Sequence, residues 1–290
     1  MSAEKVTIID GLGAVAHLFD GFILDVWGTV YNGGMVFPGV IDALQYLRSI
    51  DKRLIFLSNS PQIPNVVEDR LRQIGITTDL YDGIVTSGSE TLRMLAEGTD
   101  PELKSFKGTV YEFAPERCPN ILPKGKFAKT DRIHTADWIF NAAPNRQEEK
   151  VADYRSRMEA GIARGLPMLC ANPDRSVIHG TQELVCAGAL AEWYSDHGGH
   201  VLEIGKPHGP VFERCQALLD IEGPGRTAMV GDNLATDILG ANRAGIPAIL
   251  IASGIHNLMH EDGAVAKERL AALEVEHGSQ ADMVLPILTK

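Results

Sequence analysis

Residues 22–30 read FILDVWGTV, a short apolar run that stops at Asp25 and turns through Gly28 and Thr29. Similar runs recur as RLIFLSN (53–59), GIVTS (83–87), WIFNAA (138–143), PMLCANP (167–173), TAMVGDN (227–233) and PAILIASG (247–254). Helical patterns separate them, over residues 38–50, 64–75, 209–219 and 235–245. Near-continuous apolar strands alternating with helices predict an α/β fold with a parallel sheet covered on both faces. Gly75 and Gly245 stand where helices end, as left-handed caps do. The Pro- and Lys-rich stretch 100–135 reads as peripheral connection and hairpin inside a second domain. RQEEKVADYRSRME (146–159) reads as one helix with a solvated, paired face. The closing ADMVLPILTK reads as a short final strand or arm.

Composition narrows the function. The chain has 290 residues, of which 44% are hydrophobic, and its net charge is -11. That length allows one large domain or two ordinary ones, and the acidic balance excludes broad nucleic-acid binding. Cys118, Cys170, Cys186 and Cys215 form no C-x-x-C pair, so no zinc or disulfide framework is expected, as in a reducing cytoplasm. No signal peptide and no bilayer-spanning run is read, which predicts a soluble cytoplasmic protein away from membranes. No heptad specifies an assembly, and a homo-oligomer is left open. VTIIDGLGAVA (6–16) loosely matches a dinucleotide fingerprint but lacks its acidic partner, so a short helix leading into the first core strand is expected instead.

Three strands end in polar clusters: Asp25, then Ser58-Asn59, then Gly231-Asp232-Asn233 with Asp237 opening the next helix. In an open parallel sheet the carboxyl ends of the strands line the ligand crevice. Carboxylates brought together repel unless a cation lies between them, and oxygen ligands favour a hard ion such as Mg²⁺. Lys206, in EIGKPHGPVF, adds a charge able to neutralise a carboxylate and an incoming phosphate. These pieces suit phosphoryl transfer on a small phosphorylated metabolite. Asp25 is the expected nucleophile, with Ser58 and Lys206 on the phosphate.

The order DVWGT, SNS, GKP and GDNLATD resembles the haloacid dehalogenase superfamily. DVWGTVYNGGMVFPG (25–39) and ANPDR (171–175) are similar to the NagD-type phosphatases with a C2 cap. The resemblance implies a Rossmann-like core from residues 1–87 and 203–290, interrupted by an α/β cap at 88–202. It implies an aspartyl-phosphate on Asp25 and Mg²⁺ held by Asp25, Asp232 and the carbonyl of Trp27. Asn59 and Asn233 join Ser58 and Lys206 as substrate-binding residues.

One departure matters. The family places a general-acid Asp two residues after the nucleophile, where this chain has Trp27. A general acid is worth ~10²–10⁴ in rate, so substrates with good leaving groups are expected. Glu203, His208 and His179 are the candidate replacements. A phosphometabolite-binding protein and a metal-independent dehalogenase-like hydrolase are the alternatives. Bland readings stand beside these: Asp237 as a helix cap against an outer-shell place near the metal, Trp27 as packing, and Asp174 with Arg175 as a salt-bridged turn, preferred over a role in shaping the junction of cap and core.

Overall fold

The computed structural model describes residues 6–98, 100–180, 182–223 and 225–290. In chain order the strands are β1 (Thr7–Ile8), β2 (Gly21–Asp25), β3 (Arg53–Ser58), β4 (Gly83–Thr86), β5 (Thr109–Phe113), β6 (Ala128–Thr130) and β7 (Trp138–Asn141). They continue as β8 (Met168–Cys170), β9 (Ser176–His179), β10 (Gln182–Val185), β11 (Val201–Glu203), β12 (Thr227–Gly231), β13 (Ala248–Ile251) and β14 (Met283–Leu285). The α-helices are α1 (Val40–Ser49), α2 (Pro64–Gln73), α3 (Ser87–Glu97), α4 (Arg155–Ala163), α5 (Ala187–Asp196), α6 (Gly209–Leu219), α7 (Leu239–Ala244) and α8 (Lys267–His277).

Seven strands form one parallel sheet in the order β1-β14-β13-β12-β2-β3-β4. Both faces are buried because side chains alternate along each strand. Phe22, Leu24, Leu54 and Phe56 enter one core, while Ile23, Ile55, Leu57 and Met229 enter the other. This is why the strands read as unbroken apolar runs rather than alternating ones. After β2 the chain moves outward through β3 and β4, and later through β12 and β13 on the other side. The order therefore reverses between β2 and β12, where crevices form in open α/β sheets.

A second parallel sheet, β11-β8-β7-β5-β6, is inserted between β4 and β12. It too has a core on each face, one containing Trp138, Phe140 and Leu169, the other Ile139, Met168 and Tyr194. Helix α3 follows β4 directly, yet Met94 and Leu95 pack into the first of these cores. Thr86 caps α3, accepting the Ser89 amide at 3.0 Å while the Ser89 hydroxyl takes the Thr86 amide.

Two local expectations are corrected. Stretch 100–135 holds two parallel strands, β5 and β6, joined across the pair by a Lys129–Glu112 ion pair at 2.7 Å. The antiparallel hairpin is instead β9–β10. The charged run 146–159 is not one helix. Glu149 accepts the Arg146 amide and the Tyr154 hydroxyl, and Asp153 accepts the Lys150 amide. These bonds hold a turn and a 3₁₀ segment, Val151–Tyr154, before α4 begins. The run at 6–16 gives β1 and two 3₁₀ turns leading into β2, and the closing segment supplies β14. No helix among the described residues is long and apolar enough to cross a membrane.

Candidate active site

The carboxyl ends of β2, β3 and β12 converge at the reversal point. Gly231, the last residue of β12, follows Val230, which pairs with Leu24, so Asp232 emerges beside Asp25. Ser58 ends the neighbouring β3. Lys206 reaches the same place from the loop between β11 and α6. A cavity of about 470 Å³ opens there, lined by Asp25, Trp27, Ser58, Asn59, Lys206, Asp232 and Asn233, the seven residues singled out in the sequence.

The charges are dense and dry. Asp25, Asp232 and Asp237 are all buried, with one carboxylate oxygen from each within 4.8 Å of the others. Lys206 is only 2% exposed. Its Nζ donates to Asp25 Oδ1 and to the Leu57 carbonyl, and lies 2.7 Å from Asp237 Oδ1. Burial alone would lower the Lys206 pKa, but Asp237, Asp25 and Asp174 outweigh it and raise it well above the ordinary lysine value. Burial raises Asp25 and Asp232 above the usual carboxylate range, each pushed further by its carboxylate neighbours and opposed by Lys206. Asp25, Asp174, Asp232 and Asp237 thus set four carboxyl groups against one lysine in a low-dielectric site.

Two observations show that the donor set suits a divalent cation. Asp25 Oδ2 is buried and has no hydrogen-bond partner among the described residues. Gly28, at φ 90°, brings its backbone so close to Asp232 that an added Cβ would lie 2.2 Å from Oδ2. The backbone thus packs against the carboxylate as only glycine permits. An all-oxygen donor set of this kind matches Mg²⁺ chemistry.

Asp237 opens no regular α-helix. It sits in a π-helical turn, Leu234–Ile238, accepts the Asn233 amide at 3.1 Å and faces Lys206. It belongs with the charged cluster rather than at a helix cap. The capping task falls to Asn233, whose Oδ1 accepts the Ala235 amide at 2.9 Å. Behind this turn, His256 Nε2 accepts the Leu234 amide at 3.0 Å. Burial, with His277 and Arg269 nearby, lowers the His256 pKa to about 4, which keeps that nitrogen free to accept.

The side-chain amide of Asn59 is occupied within the protein. Its Oδ1 accepts the Lys206 amide and the Ser87 hydroxyl, and its Nδ2 donates to Asp174 Oδ1 and the Lys206 carbonyl. All four positions of the amide are used. Asn59 is a buried junction that fixes the lysine loop, the start of α3 and the segment entering β9.

Asp174 does not take the local role preferred for it. Its salt-bridged turn with Arg175 does not form; Arg175 pairs with Glu192 at 2.8 Å. Asp174 instead reaches Asn59 at 2.8 Å and lines the cavity, with burial raising its pKa. Nothing in the local pattern of ANPDR announces a partner 115 positions away.

Trp27 packs edge-on against Tyr31, with centroids 5.1 Å apart, and its Nε1 donates to the Ile178 carbonyl at 2.9 Å. The side chain at the acid position therefore ties the β9–β10 hairpin to the β2 loop. Of the candidate replacements, Glu203 and His208 pair with each other at 3.4 Å and do not line the cavity. His179 lies against the Trp27 ring, at 5.8 Å between centroids, outside the cavity of Asp25.

Comparison with known proteins agrees with the geometry. A model of haloacid dehalogenase-like hydrolases matches residues 22–124, and a HAD-hydrolase-like model matches 203–274. An acid sugar phosphatase of Staphylococcus epidermidis is 25% identical over 240 residues, covering 82% of this chain and 88% of the relative. The 5′-nucleotidase YutF of Bacillus subtilis is 23% identical over 249 residues, covering 83% and 90%. Among solved structures, a haloacid dehalogenase-like hydrolase from Brucella suis is 28% identical with a TM-score of 0.81, covering 97% of this chain and 100% of that one.

Proposed function

Since the chain belongs to the haloacid dehalogenase-like hydrolases and is a phosphatase of that family, we propose that it hydrolyses a small phosphorylated metabolite through a covalent aspartyl-phosphate on Asp25. The observation that carries this reading is the buried contact of Asp25 with Lys206 at the mouth of the strand reversal, beside Ser58. Asp25 attacks phosphorus, and the electron pair of the broken P–O bond stays with the leaving oxygen. Lys206 offsets the charge of the nucleophile and the incoming phosphoryl oxygens, while the Ser58 hydroxyl holds an equatorial oxygen. Water then attacks phosphorus, releasing phosphate and the Asp25 carboxylate.

Asp25, Asp232 and the carbonyl of Trp27 would hold Mg²⁺, which supplies charge neutralisation on the phosphoryl group when bound. The unpartnered Asp25 Oδ2 supports this. Carboxyls whose folded pKa is raised contribute stability that is present at low pH and lost as pH rises through the folded values. A cation binds the deprotonated pair and restores that loss. Millimolar Mg²⁺ is therefore expected to raise the melting temperature, more at mildly alkaline than at mildly acidic pH. At a hundredfold excess over Kd the gain is about 2.7 kcal/mol. Thermal shift with and without chelator checks it, with Asp232→Asn as the control that loses the effect.

We place the second sheet, with α3 and the β9–β10 hairpin, as the cap over residues 88–202 that selects substrates. The two curated relatives described above carry the names of a sugar phosphatase and a nucleotidase at similar identity, so the substrate is assigned only as a phosphorylated metabolite. The four described cysteines are unpaired, which supports a reducing, cytoplasmic setting.

Trp27 sets a limit on turnover. With an indole in place of a proton donor, alkyl phosphates should react slowly and acyl or aryl phosphates faster. Trp27→Asp is expected to raise alkyl phosphate turnover by up to about 10². Trp27→Phe, which keeps an aromatic ring but loses the bond to Ile178, separates the proton from the hairpin tie. An unchanged alkyl rate in Trp27→Asp would mean that the missing acid does not limit turnover or that the site cannot use one, while thermal-shift binding of phosphates without turnover would favour the second reading, a phosphate-binding protein retired from catalysis.

A further inference from the structure

Beside the cavity of Asp25 lies a second one, of about 290 Å³, between the loop that follows β3 and the inserted sheet. Trp27, Ser58, Asp174 and Val177 line both, so the two adjoin at the expected phosphate position. They differ in charge. The first holds Asp25, Asp232 and Asp237. The second holds Arg70, from the end of α2, and Arg117, from the loop after β5. These guanidiniums come from opposite sides, one from the core and one from the inserted unit.

Neither arginine is paired with a carboxylate among the described residues. Arg70 donates to the Tyr31 hydroxyl at 3.4 Å, and Arg117 to the Pro144 carbonyl at 2.5 Å. Each keeps most of its five donors. Gln62, on the loop after Ser58, donates to the Arg117 carbonyl at 2.6 Å, which fixes that loop against the core. The one carboxyl in this cavity, Asp174, is engaged by Asn59, and burial favours its neutral form. In a chain of net charge -11, two exposed guanidiniums lining the cavity that adjoins that of the nucleophile form a local field opposite in sign to the whole.

Building on the Asp25 reading, the geometry points to the second cavity as the seat of a leaving group that carries its own negative charge, a carboxylate or a second phosphoryl group, held by Arg70 and Arg117. Phosphoryl transfer to Asp25 leaves the bond electrons on the departing oxygen. The charged body of that leaving group stays against the guanidiniums until it diffuses away. The remote charge is the same before and after transfer, so the two arginines govern affinity and selection and do not replace the proton donor that Trp27 lacks. The substrate class is then phosphorylated hydroxy acids, acyl phosphates of polyacids, or bisphosphates.

Phenyl phosphate and 4-carboxyphenyl phosphate release phenols of similar acidity and differ in remote charge. The bisphosphate of hydroquinone tests a phosphoryl group in place of the carboxylate. Calorimetry on the full chain carrying Asp25→Asn, with Mg²⁺ present, should show at least one of the anionic pair binding about tenfold or more tightly than phenyl phosphate. Which of the two is preferred names the group. Adding Arg70→Gln and Arg117→Gln should bring that ratio close to one. Equal affinity for all three ligands, or a ratio that survives the double substitution, overturns the proposal. Hydrolysis of acetyl phosphate by the unsubstituted protein is read separately. Its absence removes the Asp25 reading while the binding comparison still decides the subsite.

Discussion

Asp25→Asn is expected to reduce release of phosphate from acetyl phosphate or p-nitrophenyl phosphate by on the order of 10⁴-fold or more. An amide oxygen cannot form the covalent intermediate, and no other described carboxylate is bound directly by Lys206 from the end of a central strand as Asp25 is. The substitution is nearly isosteric and removes one charge from a cluster of three close carboxylates, two of which contact the lysine. Folding should therefore survive, and the melting temperature should not fall without metal. Lys206 retains Asp237 and the Leu57 carbonyl. Steady-state turnover and acid-quench trapping of labelled protein check the two halves of this expectation. Full turnover in the variant would rule out Asp25 as nucleophile.

Lys206→Met should lower stability by about 3–5 kcal/mol at neutral pH, the usual cost of leaving buried charges without their partner. Methionine fills most of the same space, so packing contributes little to the loss. Asp25, whose carboxyl burial already pushes upward, can escape by taking up a proton. The deficit should then shrink as pH falls and grow as it rises. Denaturant unfolding at several pH values measures it, and Mg²⁺ should recover part of it. A variant as stable as the parent at neutral pH would mean that the lysine holds no ionised cluster together. Activity should fall with it, since the same ammonium serves the phosphoryl oxygens.

Much of this site could be read from the chain because strand ends are local features. An apolar run that stops at Asp25, Ser58 or Asp232 declares both the strand and the crevice. For Asp237 the sequence leaves two places open, a helix cap and an outer-shell position near the metal. Its place depends on a π-turn, which has no strong sequence signature, and on a lysine that arrives from another segment. Asn59 carried a binding pattern and turned out to be spent on Ser87, Asp174 and the Lys206 backbone. Such saturation is a property of packing. The tie from Trp27 to Ile178 spans 151 positions, and no periodicity reports it. Residues 146–159 misled for a different reason: their helix-like charge spacing lost to side chains that bond their own backbone.

The strand order also governs when the catalytic edge can close during synthesis. β2, which ends at Asp25, lies between β3 and β12, and β14 lies between β1 and β13. On a ribosome, β3 can join β2 within about thirty residues, but β12 emerges only after the whole inserted sheet has been made. That inserted sheet is contiguous in the chain and can complete itself first. Until then the strand carrying the nucleophile has one side open, an apolar edge able to pair with the wrong chain. Its brevity, five residues from Gly21 to Asp25, limits that exposure, and the last-made segments finish the part of the molecule that was begun first.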